Sequence, residues 1–132
     1  LKEAFRWTHS PMIPNDFKPI NLINEPPARM LEDTDKICMG YGLSMFDTLN
    51  NSVKKYRKLY NNLRSYQKEQ FKQDKGSYVT CLNLLATDGV ADSPNESNFG
   101  HFTFHEYSET NLESKVLKLF SIFNENGEFN LQ

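Results

Sequence analysis

No stretch of this chain approaches the ~20 consecutive apolar residues that span a bilayer, and its opening, LKEAFRWTHSPM, holds no continuous apolar segment of the kind a secretory signal requires. A cytoplasmic protein without membrane contact is therefore expected. The first residue is Leu1 instead of Met, as in a trimmed or partial chain. Cysteine is scarce. Cys38 and Cys81 are the only two and lie far apart, which leaves no basis for a disulfide framework or a cysteine-based zinc knuckle, so each is expected to be a buried small apolar residue. Internal repeats and low-complexity tracts are missing too, and with them the solenoid and linker classes.

What is present suits one folded domain over 1–132. The length matches a single core, and 38% hydrophobic content with 10 Phe, 6 Tyr and 1 Trp supplies the apolar area that a disordered chain lacks. The net charge of -2 conceals an uneven distribution. Residues 51–75 carry eight basic and two acidic side chains, whereas 76–132 carry two and eight. Such asymmetry marks either a nucleic-acid-facing surface or two halves of a fold that neutralise each other.

Periodicity then gives the elements. Leu1–His9 alternates as a strand, with Phe5 and Trp7 on one side and Arg6 and Thr8 on the other. Five of the six prolines follow, between Pro11 and Pro27. Because proline lacks an amide donor and biases its predecessor toward extended geometry, this stretch reads as a long meander without regular helix or central strand, packed over the domain by Met12, Ile13, Phe17, Ile20, Leu22 and Ile23. KICMGYGLSMF reads as a strand in which Gly40 and Gly42 permit a bulge or a close backbone approach. Asp47 is placed to cap a helix running to about Gln70, with Gly76 as a later stop, and Leu49, Val53, Tyr56, Tyr60 and Leu63 recur at steps of four and three as its apolar stripe. Ser77–Ala86, HFTFHEY and KVLKLFSIF read as strands, and TDGVADSPNESNFG as a turn-rich loop. The order implies an α+β fold: a small, mostly antiparallel sheet with one main helix packed across it and a long Pro-rich N-terminal meander.

Within HFTFHEY the alternation puts His101, Thr103, His105 and Tyr107 on one face and Phe102 and Phe104 on the other. The phenylalanines select the core face, so His101 and Thr103 are expected to be at least partly exposed. A metal shared by His101 and His105 is excluded by length, since residues four apart on a strand stand ~13 Å apart and zinc ligands lie ~2 Å from the ion. Neither metal nor cofactor is expected. His101 and Thr103, ~6.6 Å apart on one face, could both touch one phosphate or carbonyl oxygen. This H-x-T spacing resembles one half of the signature of the 2H phosphoesterases, in which two such motifs act as acid and base. His9 is followed by Ser10 and Pro11, so the second half is missing and no family is assigned. Ser44 before the helix lacks the second glycine of a nucleophile elbow, because Phe46 stands there. Asp88, Asp92 and Glu96 do not match the spacing of a calcium loop.

The basic helix is the other candidate. Lys54, Lys55, Arg57, Lys58 and Arg64 could follow a nucleic-acid backbone, but lysines also coat ordinary exposed helices, and the pI near 5.9 favours the plainer reading. The leading expectation is a non-enzymatic module that contacts a protein partner through the helix or the meander, with nucleic acid as a less favoured partner. The alternative is a small enzyme acting on a phosphate or carbonyl group, with His101 as acid or base, Thr103 as anion donor, and His9 or His105 completing the site. That alternative requires His101 and a second histidine to meet at a cleft.

Overall fold

The computed structural model describes residues 2–23 and 41–130. Six strands, β1 (Lys2–Thr8), β2 (Leu43–Phe46), β3 (Tyr78–Leu84), β4 (Gly89–Ala91), β5 (His101–Glu106) and β6 (Val116–Ser121), form one sheet in the order β4-β5-β2-β1-β3-β6. Every neighbouring pair is antiparallel. The expected α+β class is observed. The expected strand residues 36–40, the meander from 24 to 35, and Cys38 fall outside the described residues.

Both faces of the sheet carry buried residues, and His101 on β5 is partly exposed as expected. One face buries Ala4, Leu43, Met45, Leu82, Leu84, Phe102 and Phe104, closed by Leu112 and by Phe17 from the meander. The other buries Phe5, Phe46, Val79 and Cys81 beneath Val53 and Tyr56. Phe102 and Phe104 are buried as the alternation requires, but Thr103, on the helix side, is only 4% exposed. A single buried face was assumed, and cover on both sides buries Thr103 while Ser44 stays exposed and His101 and His105 partly so.

Val53 and Tyr56 belong to α2 (Leu49–Asn61), which follows the one-turn helix α1 (Ile20–Ile23). Its cap is Thr48 and not Asp47: the Thr48 hydroxyl accepts from the Asn51 amide, while the Asp47 carboxylate accepts from the Asn51 side chain. The apolar stripe is as read, with Val53 and Tyr56 fully buried and Leu49, Tyr60 and Leu63 partly so. The helix does not run on to Gln70. It stops at Asn61, where Asn62 and Leu63 turn back onto the carbonyls of Leu59 and Tyr60, and α3 (Ser65–Lys75) starts afresh. Consecutive asparagines favour local bonds over helix continuation. The second segment has no fully buried residue and packs through Phe71. Gly76 ends it at φ 82, a left-handed geometry natural to glycine, and any side chain there would strike the Thr8 carbonyl.

Two further departures concern loops. The turn-rich segment after Leu84 contains the short edge strand β4, which pairs with β5 through Val90 and His105. The meander holds two four-residue helical turns, Pro14–Phe17 and α1. Pro14 opens the first of them, a position whose amide would have no intrahelical partner anyway.

Phe104, 2% exposed in the middle of β5, should cost ~3 to 5 kcal/mol of stability when truncated to Ala. Chemical denaturation measures this, and a midpoint equal to that of the parent would refute the facing of β5. Val53→Asp should prevent folding, because it buries an unpaired carboxylate, while exposed Lys54→Glu should unfold like the parent. Circular dichroism of the two variants makes the comparison.

Candidate functional site

The centre of the sheet is split. β1 and β2 share one registered pair, Phe5 with Phe46. Continued in register, that pairing would set Trp7 against Ser44 and His9 against Gly42, but these rungs do not form. Side chains take the place of the missing ladder. The Arg6 guanidinium donates from Nε to the Asp16 carbonyl at 2.6 Å and from Nη1 to the Ser44 carbonyl at 2.8 Å. It thus joins β1 to the meander and to β2. Trp7, on the opposite face, stacks on Phe46 with ring centres 5.2 Å apart and donates its indole N–H to the Ser52 carbonyl.

A cleft of about 640 Å³ opens at this split. Its lining brings Arg6, Trp7 and His9 from β1 and its end together with Ser44 and Phe46 from β2, Lys55 from α2, and His101 from β5. The meander contributes Asp16 and Lys18, and the end of α3 contributes Gln73, Asp74 and Lys75. Burial lowers the Arg6 pKa to about 10, against the opposing fields of Asp16 and Glu106, so it stays cationic at neutral pH. Burial also raises the Glu106 carboxyl, and Arg6 opposes that shift.

His9 is held at both ring nitrogens. Nδ1 lies 2.6 Å from a carboxylate oxygen of Asp16, and Nε2 lies 2.6 Å from the Gln73 carbonyl. Burial alone would lower the His9 pKa, but the bonds to Gln73 and Asp16 and the charges of Asp16 and Asp74 outweigh it, and the net shift is upward. Asp16, 5% exposed, also accepts from the His9 and Ile13 amides. Each of these donors favours a buried carboxylate.

His101 behaves in the opposite way. Its Nε2 lies 3.0 Å from the Ser44 hydroxyl, and its ring meets the Phe46 ring edge-on. Burial lowers its pKa and Lys55 adds to the effect, with Asp92 opposing. The imidazole is therefore neutral at physiological pH and able to take a proton. One cleft thus holds a histidine biased toward charge and another biased against it.

The four histidine and threonine candidates separate. His9 and His101 line the cleft, whereas Thr103 is buried behind it with its amide donating to Asp92. His105 lies further along β5, beside Gly42, whose missing side chain leaves room for the Thr103 methyl and the His105 ring. The close backbone approach expected at the glycines occurs here. Of the basic candidates, Lys55 alone reaches the cleft. Arg57 sits over the Phe129 ring and Lys58 over Phe99, while Lys54 and Arg64 are exposed. Sequence reasoning missed Arg6 and Asp16. The available signal was the alternation of β1, which places Arg6 between Ala4 and Thr8, two small uncharged neighbours.

Among the described residues, no group of three or more His, Cys, Asp and Glu side chains could hold a metal ion, and no helix is long and apolar enough to cross a membrane. A second cleft, of about 480 Å³, surrounds Asp88 and Lys115, but these two charges already pair at 3.2 Å. Compared with protein-family models, curated proteins and solved structures, the chain matches none.

The two cleft histidines should titrate on opposite sides of the ordinary histidine value of about 6.5. Histidine ring signals followed by NMR through that range should show His9 losing its proton at higher pH and His101 at lower pH. Coincident titrations would refute the environments described.

Proposed function

We propose that the chain binds a small phosphate-bearing molecule in the cleft between β1 and β2, with Arg6 as its fixed cationic anchor. The carrying observation is a half-buried guanidinium, lining the cleft and held in place by two backbone carbonyls. An arginine aimed in advance loses little freedom when it meets an anion, which is why planar forks of this kind recur at phosphate sites. Four cations line the cleft, Arg6, Lys18, Lys55 and Lys75, against the carboxylates of Asp16 and Asp74. Asp16 is occupied by its own donors, so the balance favours a multiply charged anion. Partly exposed Trp7 in the cleft lining offers apolar surface on which a planar group could rest. The volume is that of an ordinary small-molecule site. A nucleoside diphosphate has the required size and chemistry.

The Ser44–His101 bond favours a second reading, in which the bound molecule is also transformed. A neutral imidazole 3.0 Å from a hydroxyl can act as a general base toward Ser44 or toward a ligand hydroxyl in its place. The H-x-T pairing with Thr103 is not part of this reading, since Thr103 is buried. A protein partner on the helix surface remains a separate proposal about α2 and α3, and nothing in the cleft calls for it. Nucleic-acid binding through the same surface is less favoured, because several of its cations rest over aromatic rings of the domain itself.

Calorimetric titration with ADP and with adenosine tests the binding reading. ADP should bind and adenosine should bind at least ~10-fold more weakly, a difference of about 1.4 kcal/mol. Lys55→Gln, on a helix surface, should weaken ADP by a similar factor without changing the fold, and Lys54→Glu should leave it unchanged. Equal affinity for ADP and adenosine, or for the parent and Lys55→Gln, would overturn the reading. Binding of an arbitrary DNA duplex that falls steeply between ~50 and ~200 mM salt, and that Lys54→Glu weakens, would instead favour the nucleic-acid surface.

A further inference from the structure

We infer that His9 is a proton-operated latch: as an imidazolium it fastens the meander to the end of α3 across one side of the cleft, and as a neutral ring it must release one of the two. The geometry carries this. Both ring nitrogens face oxygen acceptors at 2.6 Å, the Asp16 carboxylate and the Gln73 carbonyl. A neutral imidazole has one N–H, so its other nitrogen would press a lone pair against an oxygen lone pair. Only the doubly protonated ring satisfies both contacts.

Each acceptor is itself suited to a cation. Gln73 lies in the last turn of α3, where carbonyls lack intrahelical partners and the helix dipole is negative. Lys72, one residue earlier, already has its carbonyl taken by the Gly76 amide. Asp16 belongs to the turn Pro14–Phe17, caps that turn through the Ile13 amide, and ties it to the end of β1 through the His9 amide. The negative groups acting on the ring are Asp16 from the meander and Asp74 from α3. Arg6, Lys18 and Lys75 line the same cleft and oppose its charge, and they are outweighed, since the folded protein favours the protonated ring.

The sign follows. A histidine whose folded pKa lies above its unfolded value contributes stability in full below the unfolded value of about 6.5, and loses it as pH rises through the folded value. The latch therefore closes in mild acid and opens toward alkaline pH. Its bearing on ligands rests on the binding reading above. Asp16 also presents the carbonyl that receives Arg6, so release of the meander slackens the anchor and should weaken phosphate binding.

Amide hydrogen exchange, corrected for its intrinsic pH dependence, reads the latch without any ligand. Protection at the His9 amide, which donates to Asp16, should fall by up to ~10-fold per pH unit once pH passes the folded His9 value, as the loss of one proton allows. In His9→Gln, whose donors both sit on one nitrogen and which has no proton to lose, protection should be lower and flat with pH. Protection in the parent that is flat, or that falls equally in His9→Gln, would overturn the latch. Titration with ADP at about pH 6.5 and about pH 8.5 reads the coupling: affinity should fall more in the parent than in His9→Gln, and an equal fall would overturn control of the cleft. Absence of ADP binding with pH-dependent protection intact would reject the ligand reading and leave the latch standing.

Discussion

The structure depends on the place where β1 and β2 part. An antiparallel sheet normally satisfies its backbone through continuous ladders, and an interior gap would leave donors and acceptors without partners. Here one registered pair, Phe5 with Phe46, joins the two central strands. Beyond it, side chains take over. Arg6 meets the carbonyls of Asp16 and Ser44, and Trp7 fills the helix side and caps the Ser52 carbonyl. No buried side-chain nitrogen or oxygen among the described residues lacks a partner. Arg6 and Trp7 meet backbone carbonyls across the gap, and the cleft is its direct consequence.

The same split explains how opposite histidine environments arise within one small region. His9 stands where β1 has left the sheet, so both edges of its ring are open to the acceptors of other elements. His101 stands inside the sheet, beside Phe46 and near Lys55, where burial and a neighbouring cation both disfavour charge. Distribution of charge along the chain plays less part than the net figures suggest. The described ion pairs are His9 with Asp16 and Lys115 with Asp88, and neither links the basic helices to the acidic C-terminal third. Helix cations rest on rings instead, Lys72 on Phe123 and Lys68 on Tyr60. Aromatic residues from the C-terminal segment thus shield a surface that the sequence presents as bare positive charge.

Much of the fold was legible because it follows from short periods. The alternation of β1 and β5, the stripe of α2 and the stop at Gly76 each depend on neighbours a few residues away. What escaped depends on distant neighbours. The burial of Thr103 follows from cover on both faces, which alternation in one strand cannot reveal. Of the site, His9 and His101 were singled out by residue type, but for a shared face and a three-residue spacing that do not bring them together. The element that does so is the split, and it becomes visible only when Phe5 is paired with Phe46 and Arg6 is seen to have no ladder on its β2 side. Arg6 could have been suspected, since a cation flanked by Ala4 and Thr8 needs acceptors from elsewhere.

The two ends of the His9 bridge are held with unequal firmness, and that inequality decides which one moves. On the α3 side, the Tyr56 hydroxyl donates to the Gly76 carbonyl at 2.7 Å from a ring packed against Trp7, Phe71 and Phe123. Burial drives the Tyr56 pKa upward, so that hydroxyl keeps its proton and its bond throughout the physiological range. Gly76 in turn lies against the Thr8 carbonyl. The Gln73 carbonyl is thus anchored through its neighbours to the aromatic core. On the other side, Asp16 is fixed by the amides of His9 and Ile13, by Arg6 on its carbonyl and by Phe17 beneath the sheet, while Ile13, Ile20, Leu22 and Ile23 around it are exposed. A segment whose large apolar side chains are mostly exposed is the part that opens locally at low cost. When the His9 proton leaves, it is therefore the meander, with the wall of the cleft that it forms, that yields.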